Sequence, residues 1–429
     1  MTNDNALYEK LIRDYDQSLD CNGVNGHRLA YRLSALSKIG LTEEQGSYRL
    51  GFSEEEKAAK QLIIKWMEEA GLNVKVDGAG NVIGRLPGKQ AHLLAILSGS
   101  HVDSVPNGGH FDGPLGVITA LEVVEAWKES EYIPERPYEV IVFTDEEGTR
   151  FNGGLNGSMS MIGELKKEEL IHQVDIFGES FDTVLNNIGL SIDSLLSAKR
   201  DLSEIEAFIE VHIEQGKRLE KEDIPIGIVT GIAGPSWLEM TFSGSAGHAG
   251  NTPMDDRRDA LVAASQFIAE LPSLPPQVSS SAVATVGKLH VYPNGVNVIP
   301  GQVKLTVDIR DIRKDTRNEL VDLVIKRAEE ISLNKTVDFS FKETLRVEPV
   351  PIKEEMQQKL LASVQASQIK PYYLPSGAGH DAMIMGRHLP VAMIFVQSKD
   401  GISHTPAEWS SLNDCVQAVH VLKNFVETY

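Results

Sequence analysis

The sequence predicts an α/β protein: a mostly parallel sheet flanked by helices, interrupted by an inserted ferredoxin-like α+β domain. Three observations predict it. The short continuous apolar run Leu93–Leu97 marks a strand buried on both faces, and Tyr138–Phe143 reads as a second buried strand. Polar, Gly-rich segments follow these runs, and helical periodicity follows the first of them. Between about residues 230 and 347 the order becomes strand, helix, strand, strand, helix, strand, which is the ferredoxin-like pattern.

The elements follow in chain order. Residues 54–70 read as a helix: Ser53 and Glu56 form a capping box, Gly71 stops it, and Leu62, Ile63, Trp66, Met67 and Ala70 share a face. Asn73 to Leu86 reads as strand, turn and strand. Leu93–Leu97 is a buried strand, Leu115–Trp127 a helix and Tyr138–Phe143 a second buried strand. Phe208–Ile213 and Val391–Val396 complete the sheet. Within the insert, Trp237–Ser243, Ala282–Val291, Val303–Ile309 and Val337–Thr344 are strands. Arg258–Glu270 and Thr316–Ile331 are its helices, the second opened by a capping box of Thr316 and Glu319. The expected domains are 1–229 with 348–429, and 230–347.

Composition supports a folded chain and removes several function classes. Of 429 residues, 41% are apolar and 24% charged, ordinary for a globular protein. A net charge of −20 argues against nucleic acid or an anionic membrane as partner, since phosphate attracts basic surfaces. Two cysteines, Cys21 and Cys415, make no disulfide framework. The N-terminal stretch is charged and lacks an apolar leader, and no apolar run approaches the roughly 18 residues of a membrane span. A cytoplasmic protein is expected.

Four polar clusters lie where a parallel sheet places its sites, beyond the carboxyl ends of strands. In Ser100–Ser104 and Gly108–Gly113, His101 and Asp112 offer a nitrogen and an oxygen ligand, and Asp103 can orient the imidazole. In Asp145-Glu146-Glu147-Gly148, adjacent carboxylates repel unless a cation neutralises one while the other serves as base. In Glu210–Gly216, alternation sets His212 on the face opposite Val211 and Ile213. The fourth is Ser403-His404-Thr405-Pro406-Ala407-Glu408. Taken singly, each fits a polar turn. Together, three imidazoles and two carboxylates suit zinc or manganese, and a bridging Asp112 makes a two-metal site. In the insert, Val303, Leu305, Val307 and Ile309 alternate inward, so Arg310 faces outward with Asp308. Alone, Arg310 fits a surface ion pair to Asp308 or Asp311. A fixed fork there could instead hold a carboxylate, though from the residues alone the ion pair is the preferred reading.

The segments SGSHVDSVPNGGHFDGPLGV, FTDEEGTRF, EVHIEQG, GHAGNTPM, YPNGVNVIPG, VDIRD, LPSGAGHD and GISHTPAEW resemble those of the amidase, hydantoinase/carbamoylase family. That family lies within the metal-dependent aminoacylase and carboxypeptidase superfamily, and the resemblance spans roughly residues 45 to 425. It implies a binuclear metallohydrolase domain with an inserted lid and dimerisation domain. It implies two divalent ions per subunit (Zn, Mn, Co or Ni) on His101, Asp112, Glu147, His212 and His404, with Asp112 bridging. It implies Glu146 as general acid/base, with Asp103 and His248 also catalytic. Gln215, His248, Asn297, Arg310 and His380 match substrate-contacting positions. In relatives the residue matching His248 reaches the partner subunit's site, which implies a homodimer.

The implied substrate is a small carbamoyl or ureido compound with a carboxylate. An N-carbamoyl-L-amino acid is expected first; allantoate and carbamoyl-β-alanine are the rivals, and a non-catalytic binding protein a remote one. Allantoate hydrolases of this family carry an arginine just after the glycine matching Gly234. Gly234-Pro235-Ser236-Trp237 has none, and Trp237 suits an apolar wall.

Overall fold

A computed structural model describes residues 6–429. The expected absence of a leader falls in part on residues 1–5, outside the described residues. The strands in chain order are β1 (Asn73–Val76), β2 (Val82–Leu86), β3 (Ala95–His101), β4 (Tyr138–Phe143), β5 (Ile205–Ile213), β6 (Ile226–Ile232), β7 (Gly234–Ser243), β8 (Gly247–His248), β9 (Val283–Tyr292), β10 (Val298–Ile299), β11 (Gln302–Asp311), β12 (Asp338–Arg346), β13 (Val350–Pro351), β14 (Tyr373–Ser376) and β15 (Val391–Val396). The chain forms two compact units. One runs through Val229 and adds Ile352–Leu374 and His380–Tyr429; the other is Thr230–Pro351 with Pro375–Gly379.

The first unit is a mixed α/β layer structure on the sheet order β1-β2-β4-β3-β5-β15-β6. Its four central strands, β4, β3, β5 and β15, pair in parallel, whereas β1, β2 and β6 join antiparallel at the flanks. The central strands are buried on both faces, which is why Val391–Val396 reads as an unbroken apolar run and Tyr138–Phe143 as one broken only by Glu139, which pairs with Arg85 and Arg200. The helix Pro114–Glu129 is buried almost all round, and its one deeply buried charge, Glu122, is paired with Arg28. In the helix Glu54–Glu69, Ser53 accepts from the Glu56 N–H as expected. The reciprocal half of the box is absent: the Glu56 carboxylate instead accepts from the N–H groups of Phe52 and Asp145.

The second unit packs its helices on one face of a four-stranded antiparallel sheet, order β12-β7-β11-β9. Alternating Leu238, Met240 and Phe242 on β7 and Val303, Leu305, Val307 and Ile309 on β11 form its core with helices Ala260–Glu270 and Lys314–Asn334. The latter helix starts at Lys314, with Arg313 as N-cap. The expected cap Thr316 lies inside it and donates its hydroxyl to the buried Asp311 carboxylate. Among the described residues no helix is long and apolar enough to cross a membrane.

Candidate active site

Parallel register brings the polar segments to one end of the sheet. His101 pairs with Phe143 across β3 and β4, and His212 with Phe395 across β5 and β15. The chain leaving each strand therefore starts from a common edge. His101 ends β3, Asp145–Glu147 follow β4, His212 lies next to the end of β5, and His404 follows β15.

Asp112 sits at the centre. One carboxylate oxygen lies 3.1 Å from His212 Nε2 and 3.7 Å from His101 Nε2. The other lies 3.2 Å from His404 Nε2, which is 3.7 Å from Glu147. Two ligand groups result, His101–Asp112–His212 and Asp112–Glu147–His404, each with its ligand atoms within 4.8 Å of one another. The ring orientations are set from behind. His212 Nδ1 lies 3.0 Å from the Ile213 carbonyl and His101 Nδ1 lies 3.2 Å from the Asp103 carbonyl, so each neutral ring donates there. Each Nε2 lone pair then faces the Asp112 carboxylate, an arrangement that a shared proton or cation reconciles. Among the described residues the buried His101 Nε2 has no hydrogen-bond partner. Gly113 lies against that ring: a Cβ there would fall 2.4 Å from it.

The charges point the same way. Burial, then Asp112, pushes the Glu147 carboxyl up to about 8. Burial also drives Glu146 well above the carboxylate range, although His101 opposes it. The Asp112 hydrogen bond lifts His404 to about 9. Glu146 and Glu147 are thus short of compensating charge, whereas at Asp112 burial is outweighed by the facing histidines, His212 foremost, which hold it well below the carboxylate range. Two nitrogens plus one oxygen, or one nitrogen plus two oxygens, suit a borderline divalent cation. The donor set thus fits the two ions expected.

Asp103 does more than orient His101. Its two carboxylate oxygens accept from the N–H groups of Glu146 (3.1 Å) and Glu147 (3.0 Å). Glu146 lies 3.7 Å from His101 Nε2 and is 10% exposed. Gln215 donates to Asp112 at 2.7 Å. His380 is buried with its ring 4.4 Å from that of His212, and burial holds it well below the usual histidine range. Three non-glycine residues here hold left-handed backbone: Asp145 (φ 53°), Gln215 (φ 55°) and His404 (φ 59°). Each costs about 1 kcal/mol or more and persists only when its surroundings enforce it. In each case a side chain accepts the N–H: Glu56 and Ser398 from distant segments, and Glu408 from four residues on.

The other expected residues belong to the second unit. Val298 pairs with His248 across β8 and β10, and Ala249 N–H donates to the Asn297 carbonyl, so His248 and Asn297 are neighbours. His248 Nδ1 accepts from Gly250 (3.1 Å) and Asn251 (3.2 Å), which places the neutral ring's proton on Nε2. Arg310 pairs with Asp308 through Nε (3.0 Å) and Nη2 (2.8 Å) and donates through Nη1 to Gly377 O (2.8 Å). The surface ion pair read from sequence forms, with Asp308 rather than Asp311. Of five guanidinium hydrogens, two remain for another acceptor. Trp237 lies directly opposite Asp308 on the same open face, 44% exposed. The sequence marked Glu56 only as half of a capping box and gave Ser398 and Glu408 no role. Only Glu408, inside the GISHTPAEW segment, stood within a recognisable cluster.

This fold, with histidines and carboxylates gathered at the carboxyl ends of parallel strands beside a buried glutamate, defines a metal-dependent hydrolase. Residues 97–428 match Peptidase family M20/M25/M40. The chain is 42% identical over 403 residues to the N-carbamoyl-L-amino acid amidohydrolase of Geobacillus stearothermophilus, covering 94% of this chain and 98% of that protein. It is 34% identical to the allantoate amidohydrolase of Bacillus subtilis, covering 91% and 94% respectively. A crystal structure of a hydantoinase/carbamoylase family amidase from Burkholderia multivorans superposes with a TM-score of 0.88 at 33% identity, covering 95% of this chain and 98% of that one. The chain belongs to peptidase family M20/M25/M40, in its hydantoinase/carbamoylase amidase branch.

Proposed function

We propose that this hydrolase cleaves the ureido C–N bond of N-carbamoyl-L-amino acids, giving L-amino acid, ammonia and carbon dioxide. The observation that carries the reading is the uninterrupted set of His101, Asp112, Glu147, His212 and His404 with Glu146 beside it, in a chain 42% identical to an enzyme named for that reaction. When bound, two divalent ions (Zn, Mn, Co or Ni) on those five side chains would polarise the ureido carbonyl and acidify water. Glu146 takes the proton of the attacking water and delivers it to the leaving nitrogen. Its burial supports both roles by holding its affinity for a proton high. Asp103 fixes the backbone under it. His248, with its proton on Nε2, donates to the oxyanion of the tetrahedral intermediate. Arg310, braced by Asp308, presents its two remaining hydrogens to the substrate carboxylate, and Asn297, Gln215 and His380 complete the binding set.

The outer edge of β9, ten residues long and unpaired within its sheet, supports a homodimer formed through the second unit, with His248 serving the partner's site. The second unit would then act as a lid that closes over substrate. A second reading, allantoate hydrolysis, rests on the Bacillus subtilis relative. Against it stands the segment Gly234–Trp237, which offers no arginine and a tryptophan on the Arg310 face. The experiment compares ammonia release from N-carbamoyl-L-amino acids, allantoate and carbamoyl-β-alanine. The reading holds if a carbamoyl-L-amino acid gives the highest kcat/KM and fails if another substrate does.

A further inference from the structure

We propose that Glu408 is a positioning residue that staples the two loops bearing Asp112 and His404 into one ion-holding unit. The inference rests on the two-ion reading above. Glu408 is 3% exposed and has no cationic partner among its hydrogen bonds and ion pairs. All three hydrogen bonds its carboxylate accepts come from backbone N–H groups. Oε1 accepts from Phe111 (2.9 Å) and Asp112 (3.1 Å), and Oε2 accepts from His404 (3.3 Å). One carboxylate thereby joins loops nearly 300 residues apart in sequence, and it does so at the backbone of two metal-ligand positions.

Two further features serve that contact. Gly109 clears the way, because a Cβ there would lie 2.0 Å from the Glu408 carboxyl group. The Glu408 N–H donates to Thr405 O at 3.1 Å, closing the turn that directly follows His404. Next to the staple, Phe111 and Trp409 meet edge to face at 5.5 Å and tie the same two loops.

The dependence on Glu408 is uneven across the ligands. His101 and His212 stand on buried strands and their rings are held by carbonyls. His404 is 49% exposed, sits on a loop and holds left-handed backbone at φ 59°. Its N–H bond to Glu408 is what holds that conformation. Loss of the staple should therefore weaken the ion shared by Asp112, Glu147 and His404 more than the one shared by His101, Asp112 and His212, which depends on Glu408 only through Asp112. Supporting hydrogen bonds of this kind typically change metal affinity about 10- to 100-fold.

The test strips wild type, Glu408→Gln and Glu408→Ala of metal and titrates each with Zn2+ by calorimetry, with elemental analysis for stoichiometry. Circular dichroism and thermal midpoints monitor folding. Glutamine keeps one oxygen for Phe111 and Asp112 and turns its NH2 toward the His404 N–H. The expected result is two tight ions in wild type. Each folded variant should keep one tight ion and lose affinity for the second by about 10- to 100-fold. A folded variant that binds both ions as tightly as wild type overturns the proposal. If the alanine variant does not fold, the near-isosteric glutamine variant decides. A residue that only added stability would lower the midpoint and leave the ion count unchanged, which also overturns it. A wild-type protein that takes up fewer than two ions refutes the two-ion reading before any variant is compared, and this inference falls with it.

Discussion

Replacing Glu146 by glutamine isolates proton transfer from ion binding. The side chain is nearly isosteric, and its backbone N–H stays bonded to Asp103. Glu146 is not one of the five ligand residues, whose atoms gather around Asp112. Ion content should therefore survive. What is lost is an acceptor 3.7 Å from His101 Nε2, whose proton affinity burial holds well above the usual carboxylate range. Removing a general base typically costs about 10²–10⁴ in rate. That range corresponds to about 2.7–5.5 kcal/mol on the barrier. The upper half is expected, because one group handles both the water proton and the leaving nitrogen. The assay is ammonia release at saturating N-carbamoyl-L-amino acid and Mn2+, with ion content measured on the same sample. The acidic limb of the kcat/KM profile should vanish in the variant. A variant with both ions bound that keeps more than about a third of wild-type kcat refutes Glu146 as the base.

Arg310→Lys should raise KM at least about 10-fold with a smaller change in kcat, since an ammonium cannot bridge Asp308, Gly377 and a carboxylate in one plane. A substrate with its carboxylate replaced by an amide should hurt wild type far more than the variant; equal losses would remove the assigned role. Mixing inactive Glu146→Gln and His248→Ala subunits should restore up to about a quarter of wild-type activity if His248 works across a dimer. No recovery despite proven subunit exchange would place it in its own chain's site. Glu139, buried and clamped by Arg200 and Arg85, should cost about 3 kcal/mol of stability when changed to glutamine. Burial raises its carboxyl, but the arginines win and lower it, so this contribution is present above the ordinary value of 4.5 and is lost as pH falls through the lowered one. Denaturant melts at pH 7 and pH 4 should show the gap between wild type and variant narrowing on acidification.

The sequence exposed the sheet most clearly where its strands are buried on both faces. Val391–Val396 reads at its observed bounds because nothing polar interrupts it, and Tyr138–Phe143 does so although Glu139 breaks its apolar run. The first site strand did not: Leu93–Leu97 was expected, and β3 spans Ala95–His101. Its last residues, Ser98-Gly99-Ser100-His101, look like a loop because they serve the site. Ser100 donates to Glu210 at 2.7 Å, and Gly99 passes so near β4 that a Cβ would lie 1.9 Å from Ile141 O. Helices of four to seven residues between Asn156 and Ser197 left no periodic trace, since each is too short to complete a stripe. The last three pack instead in a cluster with Phe52 and Phe151. Among site residues, the motif-bearing histidines and acids were legible. The anchoring roles of Glu56, Ser398 and Glu408 were not, because accepting N–H groups from distant segments leaves no local spacing to betray it.

The most direct measurement is restoration of activity to metal-free protein. After chelation and desalting, Mn2+ is added in known equivalents and ammonia release from an N-carbamoyl-L-amino acid is followed. The account predicts no turnover without metal and a rise that levels off at two equivalents per chain. Full turnover by the stripped protein, or a plateau at one equivalent, would contradict it.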